Sequence, residues 1–304
     1  MSITIRPLGG LGNQLFVYAA GFAVARELRT ELVADLVELG PSSSRSYALS
    51  SFDSSIVRIV DSSKTKNKVI SFETIRSRMA NVRVARADPL MLRERGFWFD
   101  PDILSAPDGS ILRGYFQSWK YFHKDPHLLR KEVRSVRNPS DWFLRTKAEL
   151  ESTPPWIGLH VRRGDYANTP RMGLATDYYY TRALELVSQA TGITSVVLFS
   201  DDLGLAGALP SLARVRELKI VEPPPESSPL ENMLLMSLSH HLIMANSSFS
   251  WWGAWISDRH GRLVTYPRPW VDFRSVNDRD LPLPNWIGLG RESPEDGVSI
   301  NVGY

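Results

Sequence analysis

The 304 residues, 43% hydrophobic and 23% charged, have the composition of a soluble globular protein and suffice for two domains of ordinary size or one large one. Thirty-six basic against 33 acidic residues leave a net charge of +3, too balanced for a nucleic-acid binder, and the densest basic runs, around 64–68 and 130–137, are interrupted by other residue types. Cysteine is absent, which excludes disulfides, thiolate metal sites and a cysteine nucleophile; no window approaches the roughly 20 apolar residues of a membrane span, and the amino terminus lacks a signal-peptide layout, so the expected location is cytoplasmic.

The chain opens with a β-branched run, Ile3-Thr4-Ile5, cut by Pro7 and followed by Gly9-Gly10-Leu11-Gly12-Asn13-Gln14. A helix is expected from about Leu15 to Arg29. Strand, glycine-rich turn and helix is the arrangement in which backbone N–H groups and a helix amino terminus face an anion. The spacing is neither common nucleotide loop: Leu15 stands where the third glycine of G-x-G-x-x-G belongs, and no Gly-Lys-Ser/Thr ending makes a P-loop. A tight turn explains the glycines but not two amides, Asn13 and Gln14, at its mouth.

Glu31 to Leu36 reads as a second strand and Pro41-Ser42-Ser43-Ser44 as a loop. From there to about Leu150 the signals are mixed, with aromatic patches such as Phe97-Trp98-Phe99 and a run from Ile111 to Tyr121. Asp100-Pro101-Asp102 and Asp278-Arg279-Asp280 have a D-x-D form, but their Pro-rich or charged settings make them turn and cap residues. Pro126 between His123 and His127 argues against a helical metal pair, so no metal ligands are assigned. Most of the nine tryptophans, several near Trp251, read as core rather than as sugar-stacking platforms.

Ser152-Thr153-Pro154-Pro155 reads as a linker dividing the chain into domains 1–151 and 152–304. Beyond it the pattern is regular: strand 156–161, helix 177–190, strand 194–199, helix 203–208, strand 218–222, helix 230–239, strand 241–245, helix 249–257 and strand 262–266. Alternating helices and near-continuous apolar strands are the mark of a parallel, doubly wound α/β sheet.

Ligands of such sheets collect at the carboxyl ends of the strands. Trp156-Ile157-Gly158-Leu159-His160-Val161 ends in Arg162-Arg163-Gly164-Asp165-Tyr166, and strand alternation sets His160 and Arg162 on one face, Arg163 on the other. A guanidinium fork matches phosphate oxygens, so Arg162 is a phosphate candidate, with a surface ion pair as the alternative. The next strand ends in Ser200-Asp201-Asp202 and a third in Asn246-Ser247-Ser248-Phe249-Ser250-Trp251-Trp252-Gly253. Each could be a helix cap alone. Together they read as a nucleoside diphosphate site: a carboxylate can accept from the guanine N1–H and N2–H₂ edge, and serine hydroxyls and N–H groups can take phosphate oxygens.

These residues resemble glycosyltransferase family 11, the α-1,2-fucosyltransferases. The likeness lies in Gly9 to Phe16 with Tyr18-Ala19, His160 to Tyr166, Phe199-Ser200-Asp201-Asp202, and Met236-Ser237-Leu238 with Ala245 to Trp255. It implies a GT-B enzyme of two Rossmann-like domains facing a cleft, the amino-terminal one on the acceptor side. It further implies an inverting transfer of L-fucose from GDP-fucose to the 2-hydroxyl of a galactoside in a glycan, without metal or other cofactor. More distantly the chain is similar to the core α-1,6 and protein O-fucosyltransferases.

By that resemblance Arg162 binds the pyrophosphate, His160 lies near the nucleoside, and Asp201 or Asp202 faces guanine. Ser247, Ser248, Phe249 and Ser250, with Asn246, line the phosphates, and Asn13, with Gly10 and Gly12, reaches the donor. For the general base Asp165 and Asp177 are candidates by position, Asp165 alternatively bracing Arg163 and Asp177 capping its helix. An oxocarbenium-like transition state can also proceed without a strong base. Another GDP-sugar, another linkage, and a non-catalytic carbohydrate-binding protein are the rival readings. The expected partners are GDP-fucose and a galactose-containing acceptor, with peripheral association with a lipid-linked acceptor allowed and no nucleic acid.

Overall fold

The computed structural model describes residues 2–39, 45–52, 54–65, 90–164, 173–271 and 277–292. They belong to two compact units, residues 1–49 with 54–129, and residues 50–53 with 130–304.

The first unit contains β1 (Ser2–Ile5), α1 (Leu11–Leu28), β2 (Glu31–Asp35), β3 (Ile56–Val60), α2 (Ser62–Thr65), β4 (Met91–Arg93) and β5 (Ile111–Arg113). The strands form a parallel sheet in the order β3-β2-β1-β5-β4. Helix α1 is buried nearly all round, as its lack of a polar face requires. Gly21 permits this close packing: a Cβ there would lie 2.3 Å from Ile5 Cγ2 and 3.0 Å from Leu32 Cδ1. The helix starts at Leu11, four residues before the expected start, with Gly10 as its N-cap. Gly12, Asn13 and Gln14 therefore lie within its first turns.

The second unit contains most of α3 (Pro126–Arg134), then α4 (Asp141–Ser152), β6 (Ile157–Val161), α5 (Asp177–Thr191), β7 (Ser195–Ser200), α6 (Leu203–Gly207) and β8 (Glu217–Ile220). It continues with α7 (Pro229–Ser237), β9 (His241–Ile243), α8 (Ser248–Trp255), β10 (Val264–Arg268) and β11 (Ile287–Gly290). These six strands are also parallel, in the order β11-β10-β9-β6-β7-β8. The packing division falls inside α3, upstream of the Pro-Pro linker. The reason is visible in α4, whose N-cap Ser140 gives its backbone N–H (2.6 Å) and hydroxyl (2.9 Å) to the buried Glu231 carboxylate of α7.

Strands β6 and β7 are buried along nearly their whole length, as their apolar runs predict. Tyr179, Tyr180, Ala183 and Val187 of α5 cover one face. Trp251, Trp252 and Trp255 of α8 are buried with ring centroids 5.2–6.2 Å apart, so these tryptophans are core. Gly253 brings α8 against α7, since a Cβ would meet the Met236 sulfur at 2.8 Å. Strand β11 was not foreseen. Its glycines weaken the apolar signal, yet Gly288 is needed where a Cβ would lie 2.9 Å from the Tyr266 ring on β10.

Both sheets reverse their winding direction at an interior strand. In the first, the chain runs outward from β1 through β2 to β3, while β5 flanks β1 on the other side; in the second, β6 leads to β7 and β8, and β9 lies on its opposite flank. The carboxyl ends of β1 and β5, and of β6 and β9, are thus the crevices where such sheets accept ligands.

Candidate active site

At the end of β6, Arg162 Nε lies 3.1 Å from Asp201 Oδ2, both side chains about one-fifth exposed. The same carboxylate accepts the backbone N–H groups of Arg163 (2.9 Å) and Gly164 (3.1 Å). Gly164 has no room for a side chain, since its Cβ would lie 2.6 Å from Asp201 Oδ2. Asp201, from the adjacent β7, therefore fixes the turn that carries Arg162. Arg163 departs to the other face, as alternation predicts, with its guanidinium 5.9 Å from the Tyr180 ring centroid. Its side chain is half-buried.

His160 is 3% exposed, packs its ring 5.6 Å from that of Phe249, and has no hydrogen-bond partner at Nδ1. Burial, with the Arg162 charge, pushes its pKa down to about 3, so the imidazole is neutral at physiological pH. The α5 tyrosines hold the two strand ends around it. Tyr180 donates its hydroxyl to the His160 carbonyl (3.3 Å) and Tyr179 donates to the Met244 carbonyl after β9 (2.7 Å).

The loop from β9 into α8 is built from its own polar side chains. Asn246 is buried and donates through Nδ2 to the carbonyls of Gly173 (2.6 Å) and Trp270 (3.0 Å). Ser247 is the N-cap, its hydroxyl accepting the Phe249 N–H at 3.3 Å. The Ser250 hydroxyl is buried and donates to the carbonyls of Ala245 (3.0 Å) and Ser247 (3.1 Å). Asn246 and Ser250 thus brace the turn, where the sequence reading sets them along phosphates. Ser248 and Phe249 are half-buried at the helix amino terminus, next to His160.

Asp202 is the N-cap of α6, its Oδ1 accepting the Leu205 N–H at 2.9 Å. Asp177 accepts the Ser211 N–H at 2.9 Å, a structural bond for one of the two base candidates. The other, Asp165, lies outside the described residues. Asp100 caps a 3₁₀ turn and accepts Arg95 Nε at 2.8 Å, and Asp278 accepts the Trp270 N–H at 3.0 Å, so both D-x-D pairs are turn residues as expected.

The first unit carries a separate polar group at the β1/β5 crevice. Gly9 takes φ +69°, and a Cβ on it would lie 2.6 Å from Asn13 Nδ2. The glycine requirement thus falls on Gly9, whereas Gly10 has open space around it and Gly12 is buried in the first turn of α1. Asn13 Oδ1 accepts from Gln117 Nε2 of the loop after β5 at 2.9 Å. Gln14 is fully buried, donating to the carbonyls of Gly9 and Ser46 (both 2.8 Å) and accepting the Ala48 N–H (2.9 Å). One of the amides that the turn alone did not explain is therefore structural. Gln117 was missed because its partner lies 104 residues away and no local pattern marks the loop.

The profile of Glycosyl transferase family 11 matches residues 103–290. The chain belongs to glycosyltransferase family 11. It is 28% identical to an Escherichia coli O-antigen biosynthesis glycosyltransferase, WbnK, over 92% of this chain and 98% of that one. It is 27% identical to an Escherichia coli alpha-1,2-colitosyltransferase, over 95% and 99%. To galactoside alpha-(1,2)-fucosyltransferase 2 of Oryctolagus cuniculus it is 26% identical, over 94% of this chain and 76% of that one. Among solved structures, a point mutant of Arabidopsis thaliana FUT1 in complex with GDP superposes with a TM-score of 0.52 at 15% identity, over 92% of this chain and 72% of that one. The two parallel-sheet α/β units of this family 11 chain are those of the GT-B fold. Among the described residues, no helix is long and apolar enough to cross a membrane.

Proposed function

We propose that this family 11 glycosyltransferase moves L-fucose from GDP-fucose to the 2-hydroxyl of a galactoside in a glycan, with inversion and without a metal ion. The observation that carries the reading is the Arg162–Asp201 pair, which joins the carboxyl ends of β6 and β7 on the strand that also carries the neutral, buried His160, whose ring packs against Phe249 at the amino terminus of α8. Relatives named for α-1,2 transfer of fucose or colitose, aligned over most of both chains, support the linkage.

When the bond from C1 to the β-phosphate oxygen breaks, negative charge develops on GDP. Arg162 and the N–H groups opening α8 meet that charge without reorganising, because Asp201 and the Ser247 cap already hold them. A neutral His160 adds no second positive charge beside Arg162. Asp201 is engaged by the β6 turn, so guanine is assigned to Asp202, whose α6 capping bond uses Oδ1. Asn13, whose side-chain oxygen accepts from Gln117, is the residue of the first unit that the family resemblance assigns to the donor.

The colitosyltransferase relative, aligned over nearly the whole of both chains, favours one second reading, transfer of another GDP-activated deoxysugar by the same site. The test is turnover of GDP-fucose with a galactoside panel in EDTA, followed by linkage analysis. Stabilisation by free glycans but not by GDP would instead indicate a non-catalytic carbohydrate-binding protein.

A further inference from the structure

Arg262, two residues before β10, is a buried cation that the reaction described above makes no use of. Its Nη1 donates to the carbonyls of Gly253 (3.3 Å) and Ala254 (3.0 Å) in the last turn of α8. Its Nη2 donates to the Met236 carbonyl of α7 (3.4 Å) and to the Ser239 hydroxyl. Burial, with repulsion from Arg259, brings its pKa down to about 9, so the group is charged at neutral pH, and no carboxylate pairs with it among the described residues. A buried guanidinium without an acid is costly unless something else negative faces it. Here that role falls to the carboxyl ends of two helices.

The way α8 ends explains the need. An α-helix leaves its last four carbonyls without intrahelical partners, and many helices turn back on a glycine that covers some of them. Helix α8 closes instead at Ile256, in right-handed conformation, so its open carbonyls are those of Gly253, Ala254, Trp255 and Ile256. Arginines take all four. Arg262 holds the first two. Arg130 Nε donates to the Trp255 carbonyl at 2.9 Å, with its guanidinium 4.5 Å from the Trp255 ring centroid, and Arg134 Nη2 donates to the Ile256 carbonyl at 2.5 Å. All three arginines belong to the second unit. The first turn of α8 carries no acidic residue, so cations at one end and no anion at the other leave its amino-terminal potential open to a ligand. Two turns of helix, about 12 Å long, do not hold together unaided, and the direction of the amino terminus depends on what anchors the far end.

We propose that Arg262, with Arg130 and Arg134, positions the donor diphosphate from the far end of α8: the three cations fix the helix along its axis, so that its opening N–H groups meet the phosphate oxygens. Arg262 acts through α8 and is a positioning residue, not a catalytic one. The inference rests on the phosphate reading of the α8 amino terminus and deepens it. Its consequence is selective. Guanine is assigned to Asp202, outside α8, so loss of Arg262 weakens binding of the diphosphate and spares that of the nucleoside.

Calorimetric titration with GDP and with guanosine, at a temperature where each protein is folded, tests this in the wild type, Arg262→Met and Arg130→Ala. Arg262→Met should lower GDP affinity about tenfold and Arg130→Ala about threefold, with guanosine affinity within twofold of the wild type in both. An arginine that only stabilises the fold would lower the melting temperature yet leave the ratio of the two affinities unchanged in the folded protein, and that result overturns the proposal. Should Arg262→Met not fold, the ratio in Arg130→Ala, a change at a half-buried side chain, decides by the same criterion. A wild type that binds guanosine as tightly as GDP defeats the underlying phosphate reading instead.

Discussion

Arg162 and Asp201 are 3.1 Å apart, and the carboxylate that holds the arginine also closes the β6 turn through two N–H bonds. A phosphate-binding cation is thereby fixed by a neighbouring strand rather than by its own flexible stem. Asp201→Asn keeps the volume but weakens three charge-assisted bonds. It should lower GDP affinity about tenfold, the scale of one such bond, with a modest fall in melting temperature. Calorimetric titration with GDP checks this, and Gly164→Ala, which drives a Cβ into the same carboxylate, should show the same loss.

Asn13 and Gln14 are adjacent amides with opposite expected phenotypes. Gln14→Ala strands two carbonyls and one N–H in the interior and should cost on the order of 3 kcal/mol of stability. Asn13→Ala should spare the urea midpoint while lowering turnover. Equal midpoints for the two variants would contradict the division.

His160 gives a pH dependence with a definite sign. Its folded pKa, about 3, lies below the ordinary histidine value of 6.5, so between these limits the unfolded chain binds more protons than the folded one. That contribution to stability is intact above pH 6.5 and declines as pH falls toward 3. At pH 5 the loss is about 2 kcal/mol. His160→Gln should remove this part of the acid sensitivity, which urea titrations at pH 7 and pH 5 will show.

Arg163 sits over the Tyr180 ring, half-buried. Arg163→Ala should therefore cost about 1 kcal/mol, the scale of a cation–π contact, rather than the larger loss of a buried ion. Thermal melts beside Arg162→Ala, which should keep its melting temperature, check the assignment of faces.

Most of the second sheet was legible because its inner strands β6, β7 and β9 are largely buried apolar runs that alternate with helices, a pattern that depends on local sequence alone. β6 and β7 were read to within a residue or two, and alternation placed Arg162 and Arg163 on different faces. What sequence did not show was the use of each polar side chain. Ser247, Ser250, Asn246 and Asp202 share the residue types of ligand contacts and of caps, and only the three-dimensional partner separates the two roles. In the first unit β4 and β5 are three residues each, too short for periodicity, so Gln117 carried no signal.

The central claim is that Arg162 stabilises the departing diphosphate of GDP-fucose during transfer to a galactoside. Its most direct test is the turnover of folded Arg162→Ala with GDP-fucose and methyl β-galactoside in EDTA, relative to wild type. The account predicts an α-1,2-linked product from the wild type and a rate roughly 100-fold or more lower for the variant. A variant of full activity, with its fold confirmed by thermal melting, would contradict it.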